Sequence, residues 1–208
     1  MPAQTPPQLP VVVVNGLGAP HVAAHLYARL FRRRGFRAFA VSPAWLGYGD
    51  MRAAAARVDA TVQQALRETG AEKVILVGMS LGGLIGLYYL KCGGGGPHVD
   101  RFISVGGPLN GSRLACYTRS LPGLAHVPVF QQLCADSALH DELERAPMPA
   151  GVRMISLGTR GDVITPESLW LREGTERVET PYGIFPLGHW CLFLLPGNHR
   201  AVLELALE

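Results

Sequence analysis

The stretch that decides the fold is Gly78-Met79-Ser80-Leu81-Gly82, in which a serine stands between two glycines. It follows the mostly apolar run 73–77, which indicates a strand, and precedes the apolar run 84–90, which indicates a buried helix. A tight strand-to-helix turn crowds the chain, and the glycines leave room for the strand and the helix to approach each other. The Ser80 oxygen then faces outward beside a helix N-terminus. We therefore predict that Ser80 is a catalytic nucleophile rather than part of a structural turn.

Strand and helix patterns alternate along most of the chain. Strands are predicted at 11–14, 36–41, 73–77, 101–105 and 152–157, with a further candidate at 177–180. Helices are predicted at 21–34, from an Asp50 N-cap to Thr69-Gly70, at 83–91, and from an Asn198 cap to Leu207. This order predicts an α/β fold with a mainly parallel central sheet and helices on both faces.

The length of 208 residues suits one domain with a substantial core. We expect residues 1–10 to form a Pro-rich tail and residues 11–208 to form a single domain. Residues 106–150 lack a clean period, apart from short helices predicted near 128–135 and 137–145. Because they follow a strand, we expect them to form a small lid-like insertion over the binding crevice.

Composition excludes several classes of function. The formal net charge of +3 is too small to indicate a nucleic-acid partner, and no run approaches the roughly 18 apolar residues of a membrane span. The N-terminus lacks the regions of a signal peptide, so the expected compartment is the cytoplasm if the chain is full-length. It is extracellular or periplasmic if a signal peptide has been removed, and the sequence leaves this open.

The four cysteines and seven histidines do not show the spacing of a zinc site, and we expect neither a metal nor a cofactor. Cys92 and Cys191 lie in apolar surroundings and are predicted to be buried thiols. Cys116 and Cys134 lie in one irregular segment, and whether they pair depends on an oxidising compartment.

A serine nucleophile needs a base, and the base needs an orienting acid. Asp162 is the preferred acid, because it follows a predicted strand end and a glycine-containing turn, from which a carboxylate can reach the crevice. The alternatives are Asp136, Asp141 and Glu167.

His189 is the preferred base, since it follows Gly188 in a predicted loop between the last strand and the last helix. His199 is its rival, whereas the histidines before the acid are expected on the surface or the insertion: His98, His126 and His140.

An acyl-transfer site also needs donors for the oxyanion. The backbone amide after the nucleophile, that of Leu81, supplies one. The second is expected from the early loop that follows strand 11–14, where Leu17 is preferred and Gly16 and Gly18 are alternates. A dinucleotide loop is disfavoured, because a third glycine is missing at position 21.

Aromatic residues flank these positions. Trp45 and Tyr48 lie on the loop after strand 36–41, and Trp190 follows His189. An apolar lining there would suit fatty acyl or aromatic ester groups. For Trp190 and Phe193, packing of the last helix against the sheet is the slightly favoured alternative.

Taken together, these segments resemble the α/β-hydrolase superfamily, and within it the small bacterial lipases and esterases. The matching pieces are 14–18, 78–82, 106–112, 161–166 and 188–189. The resemblance implies Ser80, Asp162 and His189 as a catalytic triad and Leu17 and Leu81 as oxyanion donors. One departure is Asn15-Gly16, where many lipases have His-Gly, which leaves the backbone donor but changes what positions it.

The sequence therefore predicts a serine hydrolase that cleaves carboxylic esters through an acyl-enzyme intermediate. Its partner would be a small-molecule ester or a lipid, with transient contact to a lipid interface left open. The alternatives are an acyltransferase, a thioesterase or a phospholipase with the same triad, and a non-catalytic binding module.

Overall fold

A parallel sheet organises the chain. The computed structural model describes residues 8–169 and 173–208, so residues 1–7 of the predicted Pro-rich tail lie outside the described residues. Within those ranges the sheet has six strands in the order β2-β1-β3-β4-β5-β6, with each neighbouring pair parallel. The strands are β1 (Val11–Val14), β2 (Ala38–Val41), β3 (Val74–Met79), β4 (Val99–Val105), β5 (Arg153–Gly158) and β6 (Thr175–Glu179).

The helices connect these strands and lie on both faces of the sheet. They are α1 (His21–Arg32), α2 (Met51–Thr69), α3 (Leu81–Cys92), α4 (Arg113–Thr118), α5 (Pro128–Gln132), α6 (Ala138–Arg145), α7 (Gly188–Leu194) and α8 (Pro196–Leu207). Short 3₁₀ turns occur at Ala44–Gly47, Gly96–His98 and Pro166–Leu169. Buried side chains of α2, α3 and the α4–α6 segment pack on one face, and those of α1, α7 and α8 pack on the other. The predicted fold class is confirmed.

The strand order determines where a binding crevice forms. β1 and β3 are neighbours, with Val14 paired to Gly78, whereas the chain leaves β1 toward β2 on the other side. Connections that diverge from neighbouring parallel strands leave a crevice at their carboxyl ends. The loop after β1 and the turn after β3, which contains Ser80, therefore lie side by side.

The capping residues were predicted correctly for α2 and wrongly for the start of α8. The Asp50 side chain accepts hydrogen bonds from the Arg52 and Ala53 amides, and Gly70 ends the helix with φ of 71°. Asn198, by contrast, is not a cap, because α8 already begins at Pro196. Its buried amide donates instead to the carbonyls of Tyr182 (2.9 Å) and Cys191 (2.8 Å), which ties α8 to the preceding segment.

The structure confirms one cysteine prediction, corrects another and answers the question that the sequence left open. Cys191 is buried as predicted, but Cys92 is exposed at the end of α3, where its side chain lies outside the core. Cys116 and Cys134 form a disulfide, which joins α4 to the segment between α5 and α6.

Segment 106–150 contains more regular structure than its sequence pattern indicated, since α4 was not predicted. It is attached to α2 and α3 by polar contacts. Gln132 donates to Asp50 (2.6 Å) and accepts from the Met51 amide (2.7 Å), while Glu142 accepts from Arg52 (2.5 Å) and from the Tyr88 hydroxyl (2.6 Å). These contacts fix the α5–α6 half of the segment against the body of the protein.

Candidate active site

Ser80 occupies a sharp turn between β3 and α3. Its backbone has φ of 52° and ψ of −122°, a strained conformation for a residue with a side chain. The flanking glycines are sterically required, since a Cβ on Gly82 would lie 2.8 Å from the Asn15 carbonyl oxygen, and one on Gly78 would lie 2.6 Å from the Gly82 carbonyl carbon. The Ser80 amide donates to the Val105 carbonyl at 2.8 Å, which anchors the turn to β4. The turn thus projects the hydroxyl into the crevice.

The structure brings Ser80, His189 and Asp162 together. His189 Nε2 lies 3.0 Å from Ser80 Oγ, and His189 Nδ1 lies 2.7 Å from Asp162 Oδ2. Both His189 and Asp162 are buried. When the ring proton is on Nδ1, Nδ1–H donates a hydrogen bond to the carboxylate, and Nε2 is free to take the serine proton. The arrangement can therefore activate the serine hydroxyl as a nucleophile.

His189 is held by backbone packing between two loops. It lies in the first turn of α7, rather than in a loop as predicted, because Gly188 begins that helix. The Gly188 amide donates to the Gly161 carbonyl at 2.9 Å, and Asp162 forms an isolated β-bridge with Leu187. A Cβ on Gly188 would overlap the Gly161 backbone. These contacts set the His189 ring beside Asp162.

The carboxyl of Asp162 is kept ionised by its partners. Burial alone raises its pKa, but hydrogen bonds and charge from His189 and hydrogen bonds from Thr165 lower the pKa below the ordinary value of an aspartate. Oδ1 accepts from the amides of Ile164 (2.9 Å) and Thr165 (2.8 Å), so the other oxygen is left to face His189. The acid is thus oriented as well as charged.

The alternative acids and base lie in other surroundings. Asp136 pairs with Arg119 at 2.7 Å, and Asp141 pairs with Arg145 along α6. His199 Nε2 lies 2.6 Å from the Phe193 carbonyl oxygen, and its ring packs against Tyr27 of α1. The Glu167 side chain lies outside what the structure describes.

The predicted oxyanion donors lie beside the nucleophile. A Cβ built on Gly16 would be 3.7 Å from Ser80 Oγ, so the loop that carries Leu17 runs directly against the serine. Across residues 8–169 and 173–208, the amides of Leu17 and Leu81 donate to no other protein group. Two free N–H groups at this point can stabilise a developing negative oxygen.

Sequence reasoning did not find what positions the Leu17 loop. The buried Asn15 amide donates to the carbonyls of Ala19 (3.2 Å) and Pro20 (2.9 Å), which closes the loop on itself. The Gly18 amide donates to the Leu46 carbonyl at 2.7 Å. Leu46 and Trp45 both have φ of 53°, a left-handed conformation that is unfavourable for residues with side chains. Only the polar Asn15 after a fully apolar strand signalled this role in the sequence.

The three predicted pocket residues lie in different surroundings, and the cavity beside Trp45 has no triad residue in its lining. Trp45 is 85 % exposed, and it lines a cavity of about 230 Å³ together with Gly47, Met51 and Ile85. Tyr48 packs edge-on against Phe130 of α5, with ring centroids 6.1 Å apart. Trp190 is 54 % exposed and its ring lies 5.9 Å from that of His189, while Phe193 approaches the same ring to 5.2 Å and packs against the core.

Comparisons with known proteins agree with the fold. A family model described as "alpha/beta hydrolase fold" matches residues 10–118, just over half of the chain. A comparison with curated protein sequences finds no match.

Solved structures give many matches, of which three illustrate the range. The chain is similar to the mature form of Bacillus licheniformis lipase BlEst2, with a TM-score of 0.75, 19 % identity, and 97 % and 93 % of the two chains covered. It is similar to Aspergillus fumigatus lipase B, with a TM-score of 0.75, 17 % identity, and 97 % and 53 % covered. It is also similar to the esterase EaEST from Exiguobacterium antarcticum, with a TM-score of 0.65, 17 % identity, and 96 % and 92 % covered. At these identities the likeness shows the fold, and together with the family match it establishes that the chain belongs to the α/β-hydrolase fold family.

Proposed function

We propose that this protein is a carboxylic ester hydrolase that uses Ser80, His189 and Asp162 as a catalytic triad. The observation that carries the proposal is the continuous hydrogen-bonded path from Ser80 Oγ through both ring nitrogens of His189 to Asp162 Oδ2. A path of this kind has the geometry that nucleophilic acyl transfer requires.

In the proposed reaction, Ser80 Oγ attacks the ester carbonyl carbon while His189 Nε2 takes the hydroxyl proton. Asp162 stabilises the imidazolium that forms. The amides of Leu17 and Leu81 stabilise the oxyanion of the tetrahedral intermediate. His189 then gives its proton to the leaving alcohol, and a water molecule releases the acyl group by the same steps in reverse.

Apolar side chains near the site favour an ester with an apolar acyl or alcohol part. The large apolar residues exposed in segments that follow the strands include Trp45 and Leu46 in a 3₁₀ turn, Val163, Ile184 and Phe185, and Trp190 in α7. Such a rim would contact an apolar substrate or transiently a lipid interface. Among the described residues, no helix is both long and apolar enough to cross a membrane.

The proposal is tested by hydrolysis of p-nitrophenyl esters from acetate to palmitate. The wild-type protein is expected to hydrolyse part of this series, and Ser80→Ala is expected to lose at least about 10³-fold in kcat. Ser120→Ala is the matched control, because Ser120 is exposed and its hydroxyl bonds only to the Cys116 carbonyl among the contacts described. Equal activity of Ser80→Ala and wild type would refute the proposal.

A further inference from the structure

Thr165 lies at the junction of the acid, the base and the sheet. It is 5 % exposed, and its Oγ1 lies 2.8 Å from the Gly106 carbonyl oxygen, 2.9 Å from Asp162 Oδ2 and 3.0 Å from His189 Nδ1. One side-chain oxygen therefore contacts the proposed acid, the proposed base and the chain segment that follows β4. The alternative account is an ordinary turn hydroxyl, which would need only one of these contacts.

The hydrogen-bond inventory shows what this hydroxyl supplies. A carboxylate accepts about four hydrogen bonds. Oδ1 of Asp162 receives the amides of Ile164 and Thr165, and Oδ2 receives His189 Nδ1–H, which leaves one position on Oδ2. The Thr165 hydroxyl can donate to that position or to the Gly106 carbonyl, and its oxygen lies 3.0 Å from His189 Nδ1. Asp162 and His189 are thus coupled through a third group.

Gly106 leaves room for His189 and Leu192 beside Thr165, because it has no side chain. It has φ of 61°, and a Cβ built on it would lie 3.6 Å from His189 Nδ1 and 2.8 Å from the Leu192 side chain. Its amide donates to the Leu157 carbonyl at 2.8 Å, so the carbonyl that Thr165 contacts belongs to a segment fixed to β5. The Thr165 hydroxyl therefore links the triad to a rigid part of the sheet.

We propose that Thr165 is a positioning residue, whose hydroxyl fixes the Asp162 carboxylate and the His189 ring against the Gly106 carbonyl so that Nε2 stays in line with Ser80 Oγ. The inference rests on the proposed triad and goes beyond it. Thr165 does not touch the reacting atoms, and it acts only through the acid and the base. Its loss should therefore slow the chemical step and leave substrate binding unchanged.

The test compares Thr165→Val with Thr165→Ser. Valine keeps the shape and removes the hydroxyl, so kcat should fall about 10- to 100-fold with KM within about twofold, because small displacements of catalytic groups have effects of this size. Serine keeps the hydroxyl and should retain kcat within about threefold of wild type. If Thr165→Val does not fold, Thr165→Cys, which keeps the size and is a weak donor, should show an intermediate loss.

Thr175→Val is the matched control. Thr175 is a buried threonine in β6 whose hydroxyl has no hydrogen-bond partner in the described part of the chain, so valine there should leave kcat and KM unchanged. The same substitution then differs only in the hydrogen bonds removed.

A readout that does not depend on the ester separates this inference from the proposed function. The second-order rate of fluorophosphonate labelling measures activation of Ser80 by His189 whichever substrate the enzyme uses, and it should fall in Thr165→Val in parallel with kcat. Labelling and kcat of Thr165→Val within twofold of wild type would overturn the inference, as would a Thr165→Ser variant as slow as Thr165→Val. A wild-type protein that labels at Ser80 but hydrolyses no ester would overturn only the ester-hydrolase proposal.

Discussion

Asp162→Asn is the substitution whose effect the structure defines most sharply. Two backbone amides, those of Ile164 and Thr165, donate to Oδ1. An asparagine at this position will therefore keep its amide oxygen at the Oδ1 site. Its NH₂ group then takes the place of Oδ2, 2.7 Å from His189 Nδ1.

This reversal of donor and acceptor forces a change in His189. Nδ1 must now accept a hydrogen bond, so the ring proton moves to Nε2, which faces Ser80 Oγ at 3.0 Å. A protonated Nε2 cannot take the serine proton, and the imidazolium loses its carboxylate partner. The corresponding change in other triads lowers kcat about 10⁴-fold, equivalent to about 5.4 kcal/mol of transition-state stabilisation.

The assay is kcat and KM on the best p-nitrophenyl ester at constant pH, with circular dichroism as a check on folding. We expect a fall of about 10³- to 10⁴-fold in kcat for Asp162→Asn, with little change in KM. Asp136→Asn is the control, since Asp136 is an alternative acid that pairs with Arg119 outside the site. A folded Asp162→Asn variant that retains more than a tenth of wild-type kcat would refute the reasoning, and so would a comparable loss in Asp136→Asn.

Three further predictions concern the turn, the α2 cap and the rim. Gly82→Ala should lower the free energy of unfolding by about 3 kcal/mol in urea titrations, because its Cβ would meet the backbone of Val14 and Asn15. Gly49→Ala should be neutral, because its Cβ would make only ordinary contacts at 3.9 Å. Asp50→Ala should cost about 1 kcal/mol at pH 7. Burial raises the pKa of Asp50, but hydrogen bonds from Gln132 and the helix amides lower the pKa overall. The stability difference between wild type and Asp50→Ala should therefore be complete above pH ~5 and should shrink as the pH falls through the lowered pKa. A pH series of urea titrations will test this. Trp45→Ala should reduce kcat/KM on long-chain esters more than on acetate without loss of stability, since its side chain is 85 % exposed; equal losses on both would remove Trp45 from the pocket.

The features that the sequence predicted are those in which local pattern and tertiary role coincide. Strand 11–14 is apolar throughout because both faces of β1 are covered, and the two glycines around Ser80 are needed for the close approach of β1, β3 and α3. The order serine, acid, histidine is the one expected for a nucleophile elbow, and the structure places these residues after β3, β5 and β6, whose carboxyl ends lie at one edge of the parallel sheet. These are reasons why Ser80, Asp162 and His189 could be selected before the structure was known.

Other features depend on contacts between distant segments and left no local signal. The helix that begins at Gly188 is short, and its first residue packs backbone against backbone with Gly161, a contact that only the tertiary structure creates. Asn198 has the residue type of a cap, but its burial against Tyr182 and Cys191 decides its role. In the sequence Thr165 has the pattern of a turn residue. Its further role depends on the Gly106 carbonyl, which is 59 positions away in the chain and lies 2.8 Å from its hydroxyl oxygen.

Labelling with a fluorophosphonate, followed by peptide mapping, tests the central claim most directly. The account predicts one adduct, on the peptide that contains Ser80, and at least a 10²-fold slower reaction in His189→Ala. Absence of any adduct from the folded wild-type protein would contradict the account. So would an adduct on another serine, or equal rates in His189→Ala and wild type.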